Sequence, residues 1–169
     1  MRRTFKKAIA SFMALTSLVV AMGSTSVHAA NTGDTEITSF TAPPSISNTF
    51  VELPTSKQGI RRKDNNSSVY VYITSSPYDV FVQTWGLDTT DWDTEDQTNR
   101  TCNASGYSTS YVTVVPSYRY RIKNLINERG DQYAGLKFCS TSYYSSATIS
   151  GWWSPDYAED PYHTVYIAD

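Results

Sequence analysis

AGLKFCSTSYYSSATISGWWSP, residues 134–155, is the stretch whose reading decides the fold. Successive side chains on an extended backbone point to opposite faces, so Leu136 and Phe138 share one side and Lys137 and Cys139 the other. After a run of Ser, Thr and Tyr, Ala147, Ile149, Gly151 and Trp153 alternate with Thr148, Ser150 and Trp152. Two alternating runs joined by a turn predict a hairpin with one apolar side. Pro155 and Asp156 stop its second strand. The stretch holds one of the two cysteines and two of the four tryptophans, which places it at the centre of the core.

The same two-residue period recurs outward from this stretch. Residues 68–74 put Val69, Val71 and Ile73 on one face and Tyr70 and Tyr72 on the other. Residues 78–85 are apolar on both faces, Val80 and Val82 opposing Phe81 and Trp85, as expected of a strand inside a sheet. Further strands are predicted at 111–115, 118–122 and 163–168, with shorter extended pieces at 36–40 and 49–53. One short helix is expected, capped by Asn124, with Leu125, Ile126 and Arg129 at helical spacing and Gly130 as its stop. The predicted fold class is all-β: an antiparallel immunoglobulin-like β-sandwich with one short helix. Gly130 and Tyr133 resemble the tyrosine corner of immunoglobulin-like domains, but Tyr133 precedes Cys139 by six residues instead of two.

Residues 1–29 predict a secretory signal peptide. Arg2, Arg3, Lys6 and Lys7 form a basic head, residues 8–22 carry no charge, and Val27-His28-Ala29 supplies a cleavage site. The apolar run is shorter than the roughly 20 residues of a membrane span, so no membrane insertion is expected after removal. Residues 30–67 read as an extended N-terminal arm and loop, with Pro43 and Pro44 in its middle. In it Arg61, Arg62 and Lys63 beside Asp64, Asn65 and Asn66 predict a solvated turn. Residues 68–169 form the predicted β-sandwich domain. Signal removal leaves ten basic residues against sixteen acidic ones, a net charge of −6, which argues against a nucleic-acid partner.

Few residue groups suggest chemistry. Cys102 and Cys139, alone in an oxidising compartment, predict a disulfide across 36 intervening residues. Such a bridge contributes about 3–4 kcal/mol in the chain-entropy description. Asp91, Asp93 and Glu95 offer alternate carboxylates to a calcium ion, the one cofactor the sequence suggests. The EF-hand pattern fails, with Asp96 at its glycine position and Cys102 at its bidentate Glu, and an ordinary acidic loop is the alternative. His163, the one histidine after the signal, has Asp160 and Tyr166 as neighbours but no nucleophile motif, so no catalytic residue is assigned. Thirteen Tyr and four Trp exceed what one sandwich interior takes up. Alternation turns Trp153 inward and leaves Trp152 on the wet side. Where its face coincides with that of Tyr70 and Tyr72, the three would form an aromatic platform for a glycan or a protein at a cell surface, unless another element covers it.

A resemblance runs through Arg62-Lys63, Ser68-Val69-Tyr70-Val71-Tyr72, Ser75-Ser76-Pro77, Gln83-Thr84-Trp85-Gly86, Asn127-Glu128-Arg129-Gly130 and Tyr133-Ala134. It ends on Ser150-Gly151-Trp152-Trp153-Ser154-Pro155-Asp156. Over residues 62–156 the chain resembles a group of small exported proteins of Gram-positive bacteria, a family of unknown function, and W-S-P-D is the most specific piece. The resemblance implies export and a single β domain and brings no catalytic residue. Together these readings describe a secreted, non-enzymatic recognition protein. A secreted bacteriocin-like antagonist and a hydrolase with an unrecognised site are the alternatives.

Overall fold

The structure is a computed structural model that describes residues 32–92 and 95–169. The predicted signal at 1–29 and Asp93 lie outside the described residues. Among the described residues eleven strands form two antiparallel-rich sheets. The five-stranded sheet runs, in spatial order, β1 (Thr35–Ala42), β10 (Ala147–Ser154), β4 (Val69–Ser75), β8 (Arg119–Ile122) and β11 (Val165–Ile167). The six-stranded sheet runs β2 (Val51–Glu52), β9 (Tyr133–Ser140), β5 (Val80–Leu87) and β6 (Thr98–Asn99). Within it β3 (Ile60–Arg62) also pairs with β9, and β7 (Val112–Val114) with β5. Val71, Ile149 and Trp153 of one sheet share a core with Val82, Val112 and Leu136 of the other. Phe40 and Phe138 bridge the sheets with ring centroids 5.5 Å apart.

The strands at either end of the 134–155 stretch form, but they do not pair as a hairpin. β9 aligns along its whole length with β5, from Val80↔Ser140 to Leu87↔Tyr133, whereas β10 lies between β1 and β4. Residues 141–146 carry the chain from one sheet to the other, held by Thr141 N–H to Asp79 O (3.1 Å) and Ser45 N–H to Ser142 O (2.9 Å). The apolar sides explain the choice. A hairpin would set Leu136, Phe138, Ile149 and Trp153 on one surface still in need of a cover, and crossing over makes each strand the cover of the other.

Other expectations are corrected in the same way. The pairing is not wholly antiparallel, because β11 runs parallel to β8 after a connection long enough to bring the chain back to the same end. The predicted helix is a single 3-10 turn, Asn127–Arg129. Asn124 Oδ1 does accept the Ile126 N–H (3.3 Å), and Gly130 takes the left-handed conformation (φ 90°) that ends the turn. Asp131 N–H bonds Ile126 O, and the chain then enters β9 with no room for a further helical turn. The extended pieces expected at 36–40 and 49–53 fall in β1 and at β2, a further strand, β3, forms beside them, and together these segments bury Ile37, Leu53 and Ile60. As an edge strand β1 is protected by a bulge at Ser39 (φ 45°) and by Lys57, whose ammonium occupies the Thr38 carbonyl.

The predicted disulfide is absent, and both cysteines are buried free thiols. Cys139 stands opposite Phe81 in β5, with Sγ 3.5 Å from Pro43 O. The Cys102 segment meets β5 further along, where Arg100 N–H bonds Thr84 O, and then leaves it as Cys102 N–H bonds Lys123 O (2.8 Å). Three residues along a strand are about 10 Å, more than the roughly 7 Å a disulfide can span between α-carbons. Burial pushes both thiols above their ordinary pKa, which keeps them protonated and unreactive.

Two measurements check this arrangement. Thiol titration of unfolded, unreduced protein is expected to find both cysteines reactive, and a value near zero would restore the bridge. Trp153→Ala, which empties the largest fully buried site, is expected to lower unfolding free energy by about 3–5 kcal/mol in a denaturant titration.

Candidate functional site

The outer face of the five-stranded sheet follows from strand alternation. In β4, burying Val69, Val71 and Ile73 turns Tyr70 and Tyr72 outward, and in β10, burying Ile149 and Trp153 turns Trp152 outward. In β8, Ile122 enters the core and Tyr120 packs against it, so Arg119 and Arg121 take the outer side. Register then assembles two rows across the strands. One reads Glu36, Trp152, Tyr72, Arg119, and the other Ser154, Tyr70, Arg121. Gly151 lets β4 approach closely, since a Cβ there would lie 2.2 Å from the Tyr72 carbonyl oxygen.

The three predicted aromatic residues therefore share one face, but they are not equally bare. Trp152 is 39% exposed. The Arg119 guanidinium lies over the Tyr72 ring, 4.4 Å from its centroid. Tyr157 stacks on Tyr70 with centroids 6.5 Å apart and planes 27° from parallel, and Arg121 stands 5.7 Å from the Tyr157 ring. Arg119, Arg121 and Tyr157 were not singled out by the sequence reading. The alternation of arginine with Tyr120 and Ile122 was a signal that could have found the first two.

Beside Tyr70 opens a cleft of about 150 Å³ lined by Thr32, Asp34, Ser154, Tyr157 and Asp160. Burial raises the Asp34 carboxyl above its ordinary pKa, against the pull of Arg61 and of the nearby Ser154 hydroxyl. Burial likewise raises the Tyr70 hydroxyl, with Arg119 opposing. The Tyr162 backbone N–H holds Asp160 below the usual carboxylate range, helped by His163, whose Nδ1 is 2.7 Å from Asp160 Oδ2. Hydroxyls, carboxylates and guanidinium groups around an exposed indole can grip a polyhydroxylated ring by stacking and by hydrogen bonds.

The tail that carries Tyr157 is anchored by a buried ion pair. Lys63 Nζ donates to Asp156 Oδ1 (2.9 Å), Ser67 O (2.7 Å) and Pro155 O (2.8 Å), and both charged side chains are fully buried. Asp64 N–H reaches Asp156 Oδ2 at 3.0 Å, Ser154 Oγ donates to Asp156 O, and Tyr157 N–H bonds Ser67 Oγ. Lys63 was expected in a solvated turn. It is buried because the W-S-P-D segment supplies the carboxylate and the carbonyl that replace its water, and burial still pulls its pKa down against the effect of Asp156.

The acidic loop offers no assembled metal centre among the described residues. Asp91 and Glu95 are exposed, Asp93 lies outside the described residues, and no three His, Cys, Asp or Glu side chains gather within the described ones. Likewise, no helix among the described residues is long and apolar enough to cross a membrane. The clasp can be tested by Asp156→Ala, which strands a buried ammonium. Unfolding free energy should fall by about 3–5 kcal/mol in a denaturant titration, and a loss under 1 kcal/mol would show that the pair does not hold the tail.

Comparison with curated proteins and with solved structures gave no match. A family comparison did: residues 25–157 match the family described as protein of unknown function, DUF2712. The matched span takes in every strand but β11, together with the Lys63–Asp156 clasp and the Trp152 face. This chain belongs to the DUF2712 family.

Proposed function

We propose that this chain is an exported, non-enzymatic recognition protein that binds a glycan on the outer face of its five-stranded sheet. The observation that carries the reading is Trp152. It is an indole left 39% exposed in the middle of a sheet, beside Tyr72 in register and next to a cleft rich in hydroxyls and carboxylates. A large apolar ring kept at the surface costs solvation unless a partner covers it, and sugar rings present C–H faces of matching size. The basic head and apolar run of residues 1–29 support export, and a rigid two-sheet scaffold of the immunoglobulin-like kind suits a preformed binding face.

The test is a glycan array followed by titration calorimetry on the best hit, each with and without calcium because Asp91 and Glu95 share a surface loop. Trp152→Ala is expected to weaken binding about tenfold or more while shifting Tm by only about 2 °C. Trp153→Ala, by contrast, should lower Tm strongly. If Trp152→Ala destabilised the protein as much as Trp153→Ala and left affinity intact, the exposed indole would be a packing residue and the proposal would fall.

A further inference from the structure

We infer that the glycan read by this face is acidic, and that Arg119 and Arg121 receive its oxyanion. The inference rests on the glycan reading and adds the chemical class of the ligand. A protein of net charge −6 after signal removal has no general need of cations on this face, yet two guanidinium groups stand there two residues apart on β8. That spacing is about 7 Å along the strand. Among the described residues neither arginine has a carboxylate within ion-pair distance, while Arg62, Arg100, Lys63 and Lys137 each do. Arg121 is the more telling. Its guanidinium stands 5.7 Å from the Tyr157 ring, and among the described residues its buried Nε has no acceptor.

Arg119 is held in position by different means. It lies over the Tyr72 ring, which aligns the fork of a rigid cation with the aromatic row. A planar guanidinium fork matches a carboxylate or a phosphate in a paired hydrogen bond, which a sugar hydroxyl cannot reproduce. Asp34 and Asp160, both within reach of the Arg119 charge, line the cleft on the Ser154 side of Tyr70 and make the cleft itself acidic. The charge pattern thus gives the ligand a direction, with its acidic group toward β8 and its hydroxyls toward the cleft. Uronic acids and phosphodiester-linked polyols share this chemistry, and the test separates them.

Purified mature protein is titrated with oligogalacturonate, with the same oligomer fully methyl-esterified, and with a glycerol phosphate polymer. Wild type is expected to bind oligogalacturonate at least tenfold tighter than its ester, with affinity falling as salt rises. Arg121→Gln and Arg119→Gln are expected to bring the affinities for acid and ester together while keeping Tm. Tighter binding of the phosphate polymer, lost in the same two variants, would support the oxyanion reading and assign phosphate. Equal binding of acid and ester, or a preference that survives Arg121→Gln, would overturn the inference. In that case a loss of ester binding in Trp152→Ala would still uphold the glycan face. Binding of none of the three probes would overturn the inference as well, and the array would then decide the glycan reading by itself.

Discussion

One side chain sets the geometry on which everything else in this molecule depends: Trp153, wholly removed from water between two sheets. An indole that large contributes several kcal/mol when its cavity is closed, and closing it takes residues from both sheets. β10 is therefore fixed on both flanks, by β1 and by β4, in one register. The pleat then leaves no freedom about the next residue. Burying Trp153 forces Trp152 outward, and a slip of one position would exchange the two at the cost of the core.

The second constraint is electrostatic. A lysine and an aspartate without solvent are tolerable only when nearly all their hydrogen-bonding capacity is met, and Lys63 meets that condition with Asp156 and two carbonyls. The result is directional. Closing the pair draws residues 155–157 against the 63–67 loop, seats Tyr157 over Tyr70 and forms the wall of the cleft. The W-S-P-D piece is thus a structural clasp that shapes the neighbouring surface from behind, and its aspartate is fully buried.

The opposite side of the molecule shows what an aromatic face looks like when the protein satisfies it internally. On the outer side of the six-stranded sheet Lys137 Nζ lies 3.8 Å from the Trp85 ring centroid and 5.0 Å from that of Trp92. It also donates to Glu52 and Gln97. Trp92 closes over Gly135, where a Cβ would meet its ring at 2.4 Å, and its indole N–H bonds Leu53 O. Trp85, Trp92 and Lys137 there each have a partner within the chain. Trp152, Arg119 and Arg121 have fewer, and that contrast within one protein argues that their face is completed by something else.

Period-two alternation made most strands legible, because which side of an extended chain faces the core is a local property: Val69 to Ile73 inward, Tyr70 and Tyr72 outward, Trp153 and Trp152 opposed. It set Tyr70 and Tyr72 on one side of their strand and Trp152 opposite Trp153 on its own, while the register of β10 against β4 made those two sides one face. What alternation cannot carry is which strand lies beside which. The crossing between β9 and β10, the parallel return of β11 and the separation of Cys102 from Cys139 are all decided by the fit of distant surfaces, and the same holds for the burial of Lys63. Pairing energy is shared among segments far apart in the chain, and a buried charge depends on a carboxylate 93 residues away. The sequence alone therefore determined the faces of the strands, and only the tertiary structure decided how those faces meet.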